Sequence, residues 1–156
     1  MKYAAFLSVA RLLNRRLNVV PLLFGSLGLE RRLNTDLNAD DIDVLLPERY
    51  VMDDWTALRA LMESEGYRLM DESEHEFEKS GIRVAFAGIE SLAPFAGIDV
   101  SGIPVISDGG ADYMLLTLSD YLKVYTASSK DGYRKNVKHK QDQQKIDLIR
   151  RVLESE

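Results

Sequence analysis

Apolar positions recur along the chain with two different periods, and the switches between them outline the secondary structure. In "MKYAAFLSVARLLNRRL" Phe6, Ala10, Leu13 and Leu17 fall at helical spacing, which predicts an amphipathic first helix over residues 2–17. Residues 19–24 are short and apolar, marked by Pro21 and Gly25, and predict a buried strand. Ser26 stands where an N-cap would, ahead of a short helix in "LGLERRL". "DIDVLLP" predicts a second strand closed by Pro47. "DDWTALRALMESEG" predicts a helix with an acidic cap at Asp53 or Asp54, a stripe of Trp55, Leu58, Leu61 and Met62, and Gly66 at its end. "YRLMD" predicts a third strand.

Strict alternation on both sides of Ser80-Gly81 in "EHEFEKSGIRVAFAG" is the pattern of a β-hairpin with a two-residue loop. That loop sets Lys79 against Ile82, Glu78 against Arg83, Phe77 against Val84 and Glu76 against Ala85. One face then carries His75, Phe77, Ile82, Val84 and Phe86 and is the core face; the other carries Glu74, Glu76, Glu78, Arg83, Ala85 and Ala87. From Gly88 to Tyr113 the pattern weakens into a connecting region with one short strand at residues 103–106. "LSDYLKVYTASS", capped by Ser119 or Thr117, and a long tail bearing Val137, Ile146, Ile149 and Leu153 are helical. The order α, βαβα, β-hairpin, loop, α, α predicts an α+β fold with a mixed sheet, which suits neither a doubly wound parallel sheet nor an eight-stranded barrel.

Composition narrows the class. A chain of 156 residues, 46% hydrophobic and 29% charged, has the size and balance of a single globular domain, 1–156, divided into the first helix, an α/β core over 19–107 and a helical part over 116–154. Zero cysteines exclude a disulfide framework, a thiolate metal site and a cysteine nucleophile. Arg11, Arg15 and Arg16 interrupt the first apolar run as no signal peptide would, and no stretch reaches membrane-spanning length, so a cytoplasmic location is expected. A net charge of −5 gives no support to general nucleic-acid binding, although the tail "YRKNVKHKQDQQKIDLIRR" is locally basic.

Two acids, Asp41 and Asp43, flank an isoleucine at the start of the apolar second strand, where an ionised carboxylate needs compensation. Basic side chains, a helix N-terminus or a metal ion would each provide it. Alternate residues of a strand point to one face. The sequence Phe24-Gly25-Ser26, a short helix, then Asp41-Ile42-Asp43-Val44 resembles the nucleotidyltransferase superfamily typified by DNA polymerase β, in its small bacterial form. The stretch "YRKNVKHKQDQQKIDLI" is similar to the basic, acidic, then apolar helix that closes small members, with Asp142 and Ile146 at matching places.

The resemblance implies a nucleotidyltransferase-like mixed sheet with helices packed on one side and C-terminal helices. It implies transfer of a nucleoside monophosphate from a nucleoside triphosphate, ATP by default, to a hydroxyl acceptor with Mg²⁺ as cofactor. In that reading Gly25 and Ser26 cradle phosphates at a helix start, Asp41 and Asp43 share magnesium, and Lys140 is a candidate phosphate contact. The family's third carboxylate falls at Ala85. Glu76, facing Ala85 across the hairpin, is the candidate replacement, and the catalytic set is therefore Asp41, Asp43 and Glu76. The missing acid also keeps open a degenerate relative that binds a nucleotide or a partner protein, as in a toxin and antitoxin pair.

Plainer roles exist for each residue. Gly25-Ser26 would serve as a turn with a cap, Asp41 and Asp43 would pair with Arg31 or Arg32, and Glu74, Glu76 and Glu78 would form a solvated strand face. His75 reads as packed, His139 as an exposed helix residue, and the basic tail as a solvated helix with i to i+4 pairs.

Overall fold

The computed structural model describes residues 1–130 and 139–155, and no helix among them is long and apolar enough to cross a membrane. They fall into two compact units, Met1–Glu90 with Pro104–Leu115, and Ser91–Ile103 with Leu116 onward. The helical unit thus takes residues from inside the stretch expected to belong to the α/β core.

The first unit holds a seven-stranded mixed sheet in the order β3-β4-β5-β2-β1-β7-β6. The strands are β1 (Leu22–Phe24), β2 (Ile42–Leu46), β3 (Arg68–Asp71), β4 (Glu76–Lys79), β5 (Ile82–Gly88), β6 (Val105–Asp108) and β7 (Ala111–Leu115). β1 runs antiparallel to β2 and parallel to β7, β2 is parallel to β5, and the remaining pairs are antiparallel. One sheet face carries Phe77, Val84, Phe86, Ile42, Val44, Leu23, Leu115 and Tyr113, all buried. Helix α1 (Lys2–Leu17) reaches this face through Phe6, whose ring stands edge-on to Tyr113 at 5.1 Å. Helix α3 (Trp55–Ser64) reaches it through Trp55, 5.6 Å from Phe77. These rings pack in one layer with the aliphatic side chains of the sheet face, and burying both removes apolar surface from water.

The hairpin register is the expected one, pair for pair from Glu76↔Ala85 to Lys79↔Ile82. Ser80 and Gly81 have φ of 52° and 80°, as a two-residue loop of this hand requires. Other expectations shift. The first strand is shorter than 19–24, because β1 begins only after Pro21. Helix α2 (Gly25–Leu33) starts at the glycine with Phe24 as its cap, so Ser26 lies inside the helix rather than at its N-cap. Asp54 occupies the cap of α3 without a side-chain hydrogen bond.

The connecting region holds two strands, not one. β6 starts two residues later than expected, and β7 follows it through Gly109-Gly110, both at positive φ. The Asn14 side chain of α1 accepts from the backbone N–H of Asp112 at 2.8 Å and donates to its carbonyl at 3.1 Å, which fastens α1 to β7.

The second unit comprises α4 (Leu92–Ala96), α5 (Leu118–Lys130) and α6 (His139–Glu154). Thr117 Oγ1 accepts from the N–H of Asp120 at 3.2 Å, so Thr117 rather than Ser119 caps α5. Tyr121, Val124 and Tyr125 of α5 and Ile146 and Ile149 of α6 are buried. Asp142 is fully buried on α6 and accepts from Ser128 Oγ at 3.1 Å. Val137 lies outside the described residues.

Candidate active site

The strand end at Phe24 turns directly into α2 through Gly25, whose φ of +64° an L side chain rarely adopts. β1 is paired with β2 so that Phe24 lies beside Asp43. A Cβ on Gly25 would meet Cγ of Asp43 at 3.2 Å and its Oδ2 closer still. Glycine is therefore needed twice here, for the backbone angle and for the approach of a carboxylate. The first turn of α2 offers backbone N–H groups and the positive end of the helix dipole, and the half-buried carboxylate of Asp43 stands against its opening residue.

Asp41 is exposed and sits one residue ahead of β2, two residues from Asp43. In the sheet Asp43 pairs with Ala85, and Ala85 pairs with Glu76. Directly paired residues share a face, so Asp43, Ala85 and Glu76 form a row across three strands on the side opposite the aromatic layer. Ala85 leaves the middle of the row without a polar group.

The row does not bring three acids together. Among the described residues no group of three or more His, Cys, Asp or Glu side chains is placed to hold a metal ion. The physical reason is spacing: β2 and β4 are separated by β5, about 10 Å at ordinary strand separation. Glu76 is also engaged locally, its Oε1 accepting from Arg83 Nη1 at 3.4 Å. Asp41 and Asp43 could supply the one or two carboxylates that a magnesium ion commonly takes, its shell completed by phosphates and water. The oxygen donors present do not fit a second ion held by a third acid from β4.

The basic candidates are placed individually. The Arg31 guanidinium lies 3.8 Å from the centre of the Tyr3 ring, and Arg32 donates to the carbonyl of Leu115 at 3.1 Å. Lys140 belongs to the other unit, on α6, and its side chain lies outside the described residues, as does that of His139. His75 is half-buried at positive φ with its ring against Trp55, a packing role.

A cleft of about 500 Å³ opens between the start of α1, α2 and residues 34–39, lined by Tyr3, Leu27, Glu30, Arg31, Asn34 and Asn38 among others. Its lining includes Arg31, the alternative partner for Asp41 and Asp43, but none of the catalytic, metal or phosphate-binding candidates. In its wall the Tyr3 hydroxyl donates to Asp108 at 2.7 Å and shares a hydrogen bond with Tyr113 at 2.8 Å. Burial, followed by these hydrogen bonds, pushes the phenol well above its ordinary range. One residue of this cleft, Glu30, escaped the sequence reading; a single acid in a short helix carries no spacing signal.

No family model matches the chain. It is 41% identical over 151 residues, 97% of both chains, to the uncharacterized protein YnaI of Bacillus subtilis (strain 168). The chain belongs to the YnaI family. Among solved structures, the crystal structure of ANT(2'')-Ia in complex with adenylyl-2''-tobramycin matches 98% of this chain and 96% of its own length, with a TM-score of 0.52 and 14% identity. A solution structure of the antibiotic-resistance factor ANT(2'')-Ia matches over 99% and 94%, with a TM-score of 0.49 and 16% identity. The α+β fold with its mixed sheet is nucleotidyltransferase-like.

Proposed function

We propose that the chain is a magnesium-dependent nucleotidyltransferase, moving a nucleoside monophosphate from a triphosphate, ATP by default, to a hydroxyl acceptor. The observation that carries this reading is the contact of Gly25 with the Asp43 carboxylate. It sets a helix N-terminus, suited to phosphate oxygens, beside an acid suited to a cation, so both halves of a metal–triphosphate complex have a receptor at one corner. The fold shared with a protein captured with adenylyl-2''-tobramycin supports the same direction.

In this reading Gly25 and Ser26 present backbone N–H groups and a hydroxyl to the triphosphate, and Asp41 and Asp43 hold magnesium. A magnesium ion held by these residues would supply positive charge to offset the phosphates and polarise the transferred group. In this reading the acceptor oxygen bonds to the α-phosphorus as the bond to the pyrophosphate breaks and pyrophosphate leaves, and Glu76, across Ala85 and released from Arg83, accepts the hydroxyl proton as a general base. Asp43 acts through charge, Glu76 through proton transfer.

Ala85 supports a second reading, a degenerate relative that binds nucleotide or a partner without turnover. Titration calorimetry with a nonhydrolysable ATP analogue, with and without Mg²⁺, followed by labelled transfer over a panel of hydroxyl acceptors, separates the two. Binding that requires both Mg²⁺ and Asp43, with transfer, supports the enzyme. Binding without transfer supports the degenerate form, and equal affinity without Mg²⁺ removes the metal role.

A further inference from the structure

We infer that Glu30 is a positioning residue for this site: its carboxylate fixes the loop that delivers Asp41 to the start of β2. The inference rests on the roles proposed above for Asp41 and Asp43. Residues 34–41 join α2 to β2. Ordering such a loop costs roughly 1 to 2 kcal/mol of backbone entropy per residue, and its N–H groups need partners.

Glu30 supplies several of those partners. A single oxygen, Oε1, accepts from the N–H of Leu37 at 3.1 Å and from the N–H of Ala39 at 2.8 Å. The Glu30 backbone carbonyl accepts from Thr35 at 3.2 Å and from the capping N–H of Asn34. The loop is wound around this anchor: Asn34 and Asn38 both have left-handed backbones, φ 54° and 56°, and Asp36 Oδ1 accepts from the N–H of Asn38 at 2.7 Å. Ala39 is buried, and only Asp40 separates it from Asp41.

The consequence lies in which element carries the anchor. Glu30 belongs to the helix that Gly25 and Ser26 open, so one rigid helix sets the phosphate-binding end and, through its side chain, the approach of the acids. Two charge-assisted bonds to consecutive alternate N–H groups fix the path of the chain more tightly than apolar contact alone.

Amide exchange by NMR in the unliganded protein tests this directly. In Glu30→Ala, exchange at Leu37 and Ala39 should rise by about tenfold or more, and the amide signals of Asp41, Ile42 and Asp43 should shift with them while those of β4 and β5 keep their protection. Glu30→Gln retains an acceptor oxygen and should restore most of the wild-type pattern. Glu30→Asp, which keeps the charge but withdraws it by one methylene, should show the same signature in weaker form and serves if the alanine variant does not fold. With Mg²⁺ and a nonhydrolysable ATP analogue, Glu30→Ala should raise Kd by about tenfold and Glu30→Gln should stay near wild type. Freed Leu37 and Ala39 amides with unchanged Asp41–Asp43 signals would overturn the inference. So would a uniform loss of protection that includes β4 and β5. Failure of wild type to bind the analogue counts against the nucleotide reading, while the exchange pattern still decides whether Glu30 positions the acids.

Discussion

The corner where β1, α2 and β2 meet and the β4–β5 hairpin belong to one sheet, yet they place charge in opposite ways. At the corner, Gly25 has a constrained backbone and no space for a Cβ beside Asp43. On the hairpin, Arg83 is shared between Glu76 at 3.4 Å and Glu78 at 3.5 Å, and Glu78 also meets Arg68 at 3.5 Å, with every one of these side chains reaching solvent. The corner tolerates one arrangement; the hairpin has interchangeable partners. Function that needs fixed geometry belongs at the corner, whereas the hairpin can release a carboxylate at little cost, because exposed pairs contribute about 0 to 1 kcal/mol each.

The sharpest way to break this contrast is Glu76→Gln, which should cut transfer by about 100-fold or more, the range for removing a general base, while leaving Mg·ATP affinity unchanged by calorimetry. The double change Glu76→Ala with Ala85→Asp should recover part of the activity, since it moves the acid to the paired position on β5. Full activity in Glu76→Gln would make the hairpin acids a solvated face.

Gly25→Ala should destabilise by about 1 to 3 kcal/mol in denaturant melts, from left-handed backbone strain and overpacking against Asp43. Combined with Asp43→Ala, the cost should be less than the sum of the two single changes, because the clash has lost its partner. Strict additivity would show that Asp43 simply swings aside.

Asp43→Asn should abolish the rise in melting temperature that Mg²⁺ and an ATP analogue give the wild type together. An undiminished rise would locate the ligand elsewhere. By contrast, Arg83→Ala should change stability by less than about 1 kcal/mol, and less again in high salt.

The smallest effect concerns the turn before β4. Asp71 accepts from Ser73 Oγ at 2.7 Å and from the N–H of Glu74 at 3.2 Å, and these bonds, the serine hydroxyl first, hold its carboxyl below the ordinary value of 3.8. A depressed folded value means that the contribution is present above the unfolded pKa and lost as pH falls through the folded one. An NMR titration of Asp71 should therefore inflect below 3.8, and Ser73→Ala should move the inflection upward.

The hairpin was legible because alternation, a Ser-Gly loop and opposed charges all specify one register. The corner was legible in part: the glycine and the two acids were apparent, but their contact depends on β1 pairing with β2 across a loop whose course Glu30 sets, and no local pattern encodes that. β7 was missed although Ala111, Tyr113 and Leu115 alternate as a half-buried strand should. Its flanking glycines and acids read as loop, and its parallel pairing with β1 joins residues far apart in sequence. The third acid expected from Glu76 follows from a correct register, yet a register gives adjacency in rows and not the convergence of carboxylates on one ion.

Asn14 has a consequence away from the candidate site. β1 extends along β7 only through Leu22 and Leu23, with Pro21 accepting from the N–H of Met114, and beyond that the side of β7 facing β1 would present the N–H and carbonyl of Asp112. The Asn14 amide occupies both, imitating one residue of a neighbouring strand. Bare strand edges recruit other chains into growing sheets. A single helical side chain thus closes edge groups that would otherwise be open to another strand, and Asn14→Ala should leave the Asp112 N–H less protected in amide exchange.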